Sequence, residues 1–142
     1  MEPFTMMLVD DEVDFLETLL KRVRRRNVDV VGAKSGDEAL AMLDAKPVDV
    51  VVLDVKMPGM GGLETLREIK KRCPLVEVIM LTGHASMEVA IEGMEGGAFD
   101  YLMKPMDIDE LLYKLQDAYK KKTLHEDRIR HAVSEVSEAK KG

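Results

Sequence analysis

The chain has 142 residues, 46% hydrophobic and 34% charged, with a formal net charge of −6. Its lone cysteine, Cys73, excludes an internally disulfide-stapled scaffold and makes a reducing, cytoplasmic setting the expectation. The acidic balance argues against nucleic-acid binding by bulk charge, the 4% aromatic content without Trp against single-strand stacking, and the lack of an apolar run near ~18 residues against a membrane span.

Met6 to Val9 is a continuous apolar run, as expected for a strand buried on both faces. An early acid and the shortness of this run speak against a signal peptide. Phe15, Leu16, Leu19, Leu20 and Val23 recur at helical spacing and close on Arg24-Arg25-Arg26, whose charge suits a helix C-terminus. Val28 to Gly32 is a second short strand. Ser35-Gly36-Asp37-Glu38 has cap and first-turn chemistry, and Ala39, Leu40 and Leu43 supply the apolar face of the helix it starts.

Val48 to Leu53 is a third strand, interrupted only by Asp49. Pro58-Gly59 and Gly61-Gly62 mark a loop. Leu63, Leu66 and Ile69 form a helical stripe that stops before Pro74, and Val76 to Leu81 is a fourth strand. Met87, Val89, Ala90, Ile91 and Met94 form a weak helix ending at Gly96-Gly97, with Gly93 weakening it by roughly 1 kcal/mol. Ala98 to Met103 is a fifth strand, and Asp107 begins a last helix carrying Ile108, Leu111, Leu112, Leu115 and Tyr119. Strands alternating with helices predict an α/β fold with a parallel sheet covered on both faces. Ligands of such folds sit at the carboxyl ends of the strands.

Those ends carry Asp10-Asp11-Glu12, then Asp54, then Thr82-Gly83, then Lys104-Pro105. Each residue alone has an ordinary explanation: a helix cap for Asp10 or Asp11, a turn brace for Asp54, a turn hydroxyl for Thr82, a surface amine for Lys104. Together they predict more. Three unpaired carboxylates at one edge repel one another, and a divalent cation resolves the repulsion. An all-oxygen site of this kind suits Mg²⁺. Asp54 is then a plausible nucleophile toward phosphorus, with Lys104 neutralising charge and Thr82 donating to a phosphoryl oxygen.

Other phosphate chemistries fit poorly. Neither GxGxxG nor GxxxxGK[ST] occurs. An acidic triplet replaces the hydroxyl-rich loop a flavodoxin places after its first strand. Asp10-Asp11 lacks the spacing of a haloacid-dehalogenase phosphatase. His84, His125, His131 and Cys73 are too scattered for zinc, and there is no nucleophile elbow.

The segments LVDDE, VVLDVKMPGMGG, VIMLTGHAS and AFDYLMKPMDIDEL, in this order, resemble a receiver domain of a two-component response regulator, in the CheY-like superfamily. The likeness runs from about Thr5 to Tyr119, and LTGHASMEVAIEGMEGGAFDYLMKP is similar to receivers attached to sigma-54-type activators. The resemblance implies a flavodoxin-like, doubly wound sheet of five strands in the order 2-1-3-4-5, with five helices. It implies that Asp54 accepts a phosphoryl group from a sensor histidine kinase or phosphotransfer protein. Asp10 and Asp11, with Asp54 and the backbone carbonyl of Lys56, would hold Mg²⁺. Thr82 would be the switch hydroxyl, Tyr101 the switch aromatic, and Lys104 the contact to the phosphoryl group, its bond to Pro105 being cis. Lys56 and His84 occupy the positions that tune phosphoryl lifetime. The implied protein is a phosphoacceptor switch, limited to self-catalysed phosphotransfer and autodephosphorylation. Its partner face would be the fourth helix, fifth strand and fifth helix, serving an output domain or a homodimer. The alternative is a pseudo-receiver, an interaction module that never takes phosphate.

The charge divides near Tyr119: residues 1–119 carry a net −9 and residues 120–142 a net +3. The reading is therefore a receiver domain over 1–119 and a helical extension or linker over 120–142. The extension is read as a solvated or frayed helix, or as a dimerising or linker helix with a weak heptad seam through Leu115, Ala118, Lys122, His125, Ile129, Ala132 and Val136.

Overall fold

A computed structural model describes residues 3–57, 59–83 and 86–141. The apolar runs become strands β1 (Thr5–Val9), β2 (Asp29–Ala33), β3 (Val50–Asp54), β4 (Glu77–Thr82) and β5 (Asp100–Met103). They pair in parallel in the order β2-β1-β3-β4-β5, with Met6 opposite both Val30 and Val50, Val50 opposite Glu77, and Ile79 opposite Asp100. Helices α1 (Val13–Arg24), α2 (Gly36–Ala45), α3 (Gly62–Arg72), α4 (Met87–Glu95) and α5 (Ile108–Lys141) connect and cover them. The doubly wound fold expected from the sequence is the one observed.

Alternation along the strands divides the core. Met6, Leu8, Val50, Val52, Ile79, Leu81 and Leu102 face α1 and α5, meeting Leu16, Leu19, Val23, Leu111 and Leu115. Met7, Val9, Val51, Leu53, Val78 and Met80 face the other way, meeting Leu40 of α2, Leu66 and Ile69 of α3 and Val89 of α4. Both faces of every central strand are thus buried, which is why the runs read as continuous.

Four strands begin one or two residues later than the apolar runs suggest. Val48 and Ala98 are buried yet precede the ladder. Packing extends the apolar run further than hydrogen bonding does. At the other end, Asp54 and Thr82 are the last strand residues and not the first loop residues.

Local chemistry sets the helix ends. Ser35 accepts from the Glu38 N–H at 3.1 Å, capping α2. The Lys70 ammonium donates to the carbonyls of Pro74 and Val76 at 2.9 Å, tying the end of α3 to the start of β4. Gly97, at φ 107°, ends the turn after α4. Gly93, read from the sequence as a weak point, has a packing role: a Cβ there would lie 3.1 Å from Cγ of Met80, so the glycine lets α4 approach β4.

The last helix continues through Tyr119 without a break and spans 34 residues. The expected heptad seam is split. Leu115 and Ala118 are in the core, Lys122 is part-buried against the body, and His125, Ile129, Ala132 and Val136 are exposed.

Candidate functional site

Parallel pairing of all five strands brings every strand's carboxyl end to one edge of the sheet. Asp10 follows β1, Asp54 ends β3, Thr82 ends β4 and Lys104 follows β5. Asp10 and Asp54 are buried, while Asp11 is the more open of the three acids. One carboxylate oxygen from each of Asp10, Asp11 and Asp54 lies within 4.8 Å of the others.

Hydrogen bonds orient these groups. Asp10 Oδ1 accepts from the Glu12 N–H at 2.9 Å, which holds the acidic loop over the start of α1. Asp54 Oδ1 accepts from the Lys56 N–H at 3.3 Å. The Lys56 side chain is exposed. Lys104 Nζ lies 3.0 Å from Asp10 Oδ2, 4.0 Å from Asp54 Oδ1 and 3.8 Å from Glu12 Oε1. The Lys104–Pro105 bond is cis.

Burial, and next the Asp10 charge, push the Asp54 carboxyl up to about 6 from its ordinary 3.8, with Asp11 adding to the rise. Lys104 and the Lys56 N–H oppose this shift. Burial works against the Lys104 ammonium, but its bond to Asp10 and the charges of Asp54, Asp10 and Glu12 outweigh that, and its pKa is raised. The lysine is therefore a permanent cation in a site with excess negative charge.

That excess is the observation on which a metal can be tested. Three carboxylates converge on a gap of cation size, and one lysine does not balance them. The donor set is all oxygen, which fits a hard divalent cation such as Mg²⁺ and not a soft one.

Thr82 is fully buried and its hydroxyl donates to the Gly83 carbonyl at 3.0 Å. Tyr101 is half-buried, with Lys114 Nζ donating to its carbonyl at 2.9 Å and standing 5.6 Å from its ring centre. His84 lies outside the described residues. Two contributors were hidden in the sequence. Phe15 reads there as helix core, yet its ring centre lies 4.3 Å from Lys104 Nζ and shields it on one side. Gly62 reads as loop punctuation, yet a Cβ there would stand 2.6 Å from Val55 Cα and 2.8 Å from the Asp54 carbonyl. Only helical spacing placed Phe15 on α1; its proximity to Lys104 is long-range and leaves no local signal.

Fold and site together define a doubly wound α/β protein with an acidic, lysine-bearing centre at the carboxyl edge of its sheet. The chain belongs to the response regulator receiver domain family, whose model matches residues 6–116. It is 38% identical over 111 residues to the DNA-binding transcriptional regulator NtrC of Salmonella typhimurium, covering 78% of this chain and 24% of that protein. It is 39% identical over 113 residues to the transcriptional regulatory protein ZraR of the same organism, covering 80% of this chain and 26% of that one. Among solved structures, a response regulator receiver domain protein from Clostridium thermocellum superposes with a TM-score of 0.81 at 36% identity, covering 85% of this chain and 98% of the other. The chain thus spans about a quarter of the length of the curated relatives it matches. Among the described residues no helix is long and apolar enough to cross a membrane.

Proposed function

We propose that this chain is a phosphorylation-dependent signalling switch that takes a phosphoryl group from a sensor histidine kinase onto Asp54. The observation that carries the reading is the convergence of Asp10, Asp11 and Asp54 on one gap with Lys104 beside it. In the transfer, a carboxylate oxygen of Asp54 attacks phosphorus, the P–N bond to the donor histidine breaks, and the imidazole leaves with that electron pair. The product is an acyl phosphate on Asp54.

The chain's own groups serve this step through position and charge. The Lys56 N–H and Lys104 hold the Asp54 carboxylate in place. Lys104 also contacts the incoming phosphoryl group, and the Thr82 hydroxyl rotates from the Gly83 carbonyl to donate to it. Asp10, Asp11, Asp54 and the carbonyl of Lys56 would hold Mg²⁺, which supplies neutralising charge when bound. Lys56 and His84 set the lifetime of the acyl phosphate.

The new charge, about −1.5 to −2, is large for a buried edge and biases the neighbouring elements. Drawing Thr82 toward it frees space into which Tyr101 turns. The responding surface is the face of α4, β5 and α5, where Ile91, Met94 and Tyr113 are exposed. It would meet an output domain or a second copy of the chain. Residues 1–119 would carry the switch machinery, and 120–142 would continue its last helix. The DNA binding named for NtrC belongs to a protein about three times as long, and no nucleic-acid contact is proposed for this chain.

Intact-mass measurement tests the reading. With acetyl phosphate and Mg²⁺ the chain gains the mass of one phosphoryl group, and Asp54→Ala does not. An unchanged mass in the parent protein, with Mg²⁺ present, would leave the phosphorylation-independent interaction module as the better account.

A further inference from the structure

The strands that deliver the site residues at one end all touch the same short stretch of α5 at the other. Phe4, just before β1, stacks on Tyr119 with ring centres 5.1 Å apart. Asp49, just before β3, takes the Lys122 ammonium on Oδ1 at 2.8 Å and the Thr5 N–H on Oδ2 at 2.9 Å. Glu77, the first residue of β4, is buried and meets Lys121 Nζ at 3.5 Å. Phe99, just before β5, lies 5.6 Å from the same ammonium. Lys122 is held from its own helix too, by Glu126 at 3.3 Å. Residues 128–140, by contrast, are all exposed.

We infer that Tyr119, Lys121 and Lys122 form a collar that anchors the outgoing helix to the amino-terminal pole of the sheet, with the Asp49–Lys122 pair as its main fastening. The physical reason is the low exposure of that pair: its side chains are 14% and 23% exposed, so removing the lysine charge leaves Asp49 without a cation in a poorly solvated place. Asp49 and Glu77 need cations because they begin buried strands. The body supplies Lys70 near Glu77, and only α5 supplies Asp49 with a charged partner among the described residues. The first two turns beyond Tyr119 are thereby part of the receiver body, and the helix leaves it in one direction. A boundary at the charge division near residue 119 would cut through the collar. The region free to move begins near Arg128.

Amide hydrogen exchange on the full chain, without a phosphoryl donor, tests this independently of phosphorylation. Lys122→Gln lowers protection of the amides of residues 120–130 by about tenfold or more, while those of residues 108–116 keep theirs. Asp49→Asn gives the same pattern, Lys122→Arg restores protection, and Lys140→Gln changes nothing. Unchanged protection over 120–130 in both Lys122→Gln and Asp49→Asn would overturn the collar. So would an equal loss across the whole domain, which would make the pair a general stabiliser and not an anchor of the arm.

Discussion

Lys104 Nζ reaches Asp10 Oδ2 at 3.0 Å although the two residues stand 94 positions apart and their strands are separated in the sheet by β3 and β4. The lysine crosses the carboxyl edge of the sheet to do so, passing Asp54 at 4.0 Å. One cation therefore answers several acids, and the charge balance of the whole edge depends on it.

Lys104→Met should raise the Asp54 carboxyl above its present value of about 6, because the lysine charge lowers it while Asp10 and Asp11 raise it. Carboxyl NMR titration of metal-free protein measures the midpoint. An unmoved midpoint would mean that Asp54 does not feel the lysine.

Mg²⁺ should stabilise the fold, since it relieves a repulsion present only when Asp10, Asp11 and Asp54 are assembled. Binding to the folded state alone contributes about 2.7 kcal/mol at a concentration one hundred times Kd. Thermal unfolding in Mg²⁺ and in chelator should show this difference in the parent. Asp11→Asn, at the most open of the three acids, should lose most of it.

The pH dependence of the metal-free protein has a definite sign. A carboxyl whose pKa rises on folding, from 3.8 to about 6, favours the folded state while protonated. That contribution is fully present below the ordinary value and is lost as pH rises through about 6. Chemical denaturation of chelator-treated protein should show stability from this group falling across that window. Asp54→Asn should flatten the fall, and an equal slope in both proteins would remove Asp54 as its source.

Gly62→Ala should destabilise the protein by about 1–3 kcal/mol, the ordinary range for overpacking. The new methyl would meet Val55 Cα and the Asp54 carbonyl, both backbone, which cannot swing aside. Gly61→Ala is the control, since a Cβ there meets nothing within 4 Å. Urea midpoints of the two variants compare them directly, and the loss in phosphoryl uptake should follow Gly62→Ala alone.

The ends of elements show where local reading stops. Val48, Val76 and Ala98 look like strand because they are apolar and buried, but a parallel ladder starts only where a neighbour is in register. Asp49 looks like an interruption of β3 for the same reason. Its role as the acceptor for Thr5 and Lys122 joins residues 44 and 73 positions away, and no local pattern carries such a pairing. Phe15 and Gly62 belong with Asp49, since each acts through a neighbour brought in by the fold.

From the sequence alone came the alternation of strand and helix, the acids and the lysine that occupy strand ends, and an acidic body with a basic tail. Burial on both faces writes continuous apolar runs, and helical covering writes spaced ones, so this level of organisation is local and legible. The tertiary structure alone decided that Lys104 bonds Asp10, that burial and Asp10 lift the Asp54 carboxyl, and that Lys122 fastens to Asp49 instead of lining a coiled-coil seam. Those outcomes depend on distance and desolvation between residues far apart in the chain. Charge interactions acquire their strength only once folding has brought the groups together and excluded water from around them.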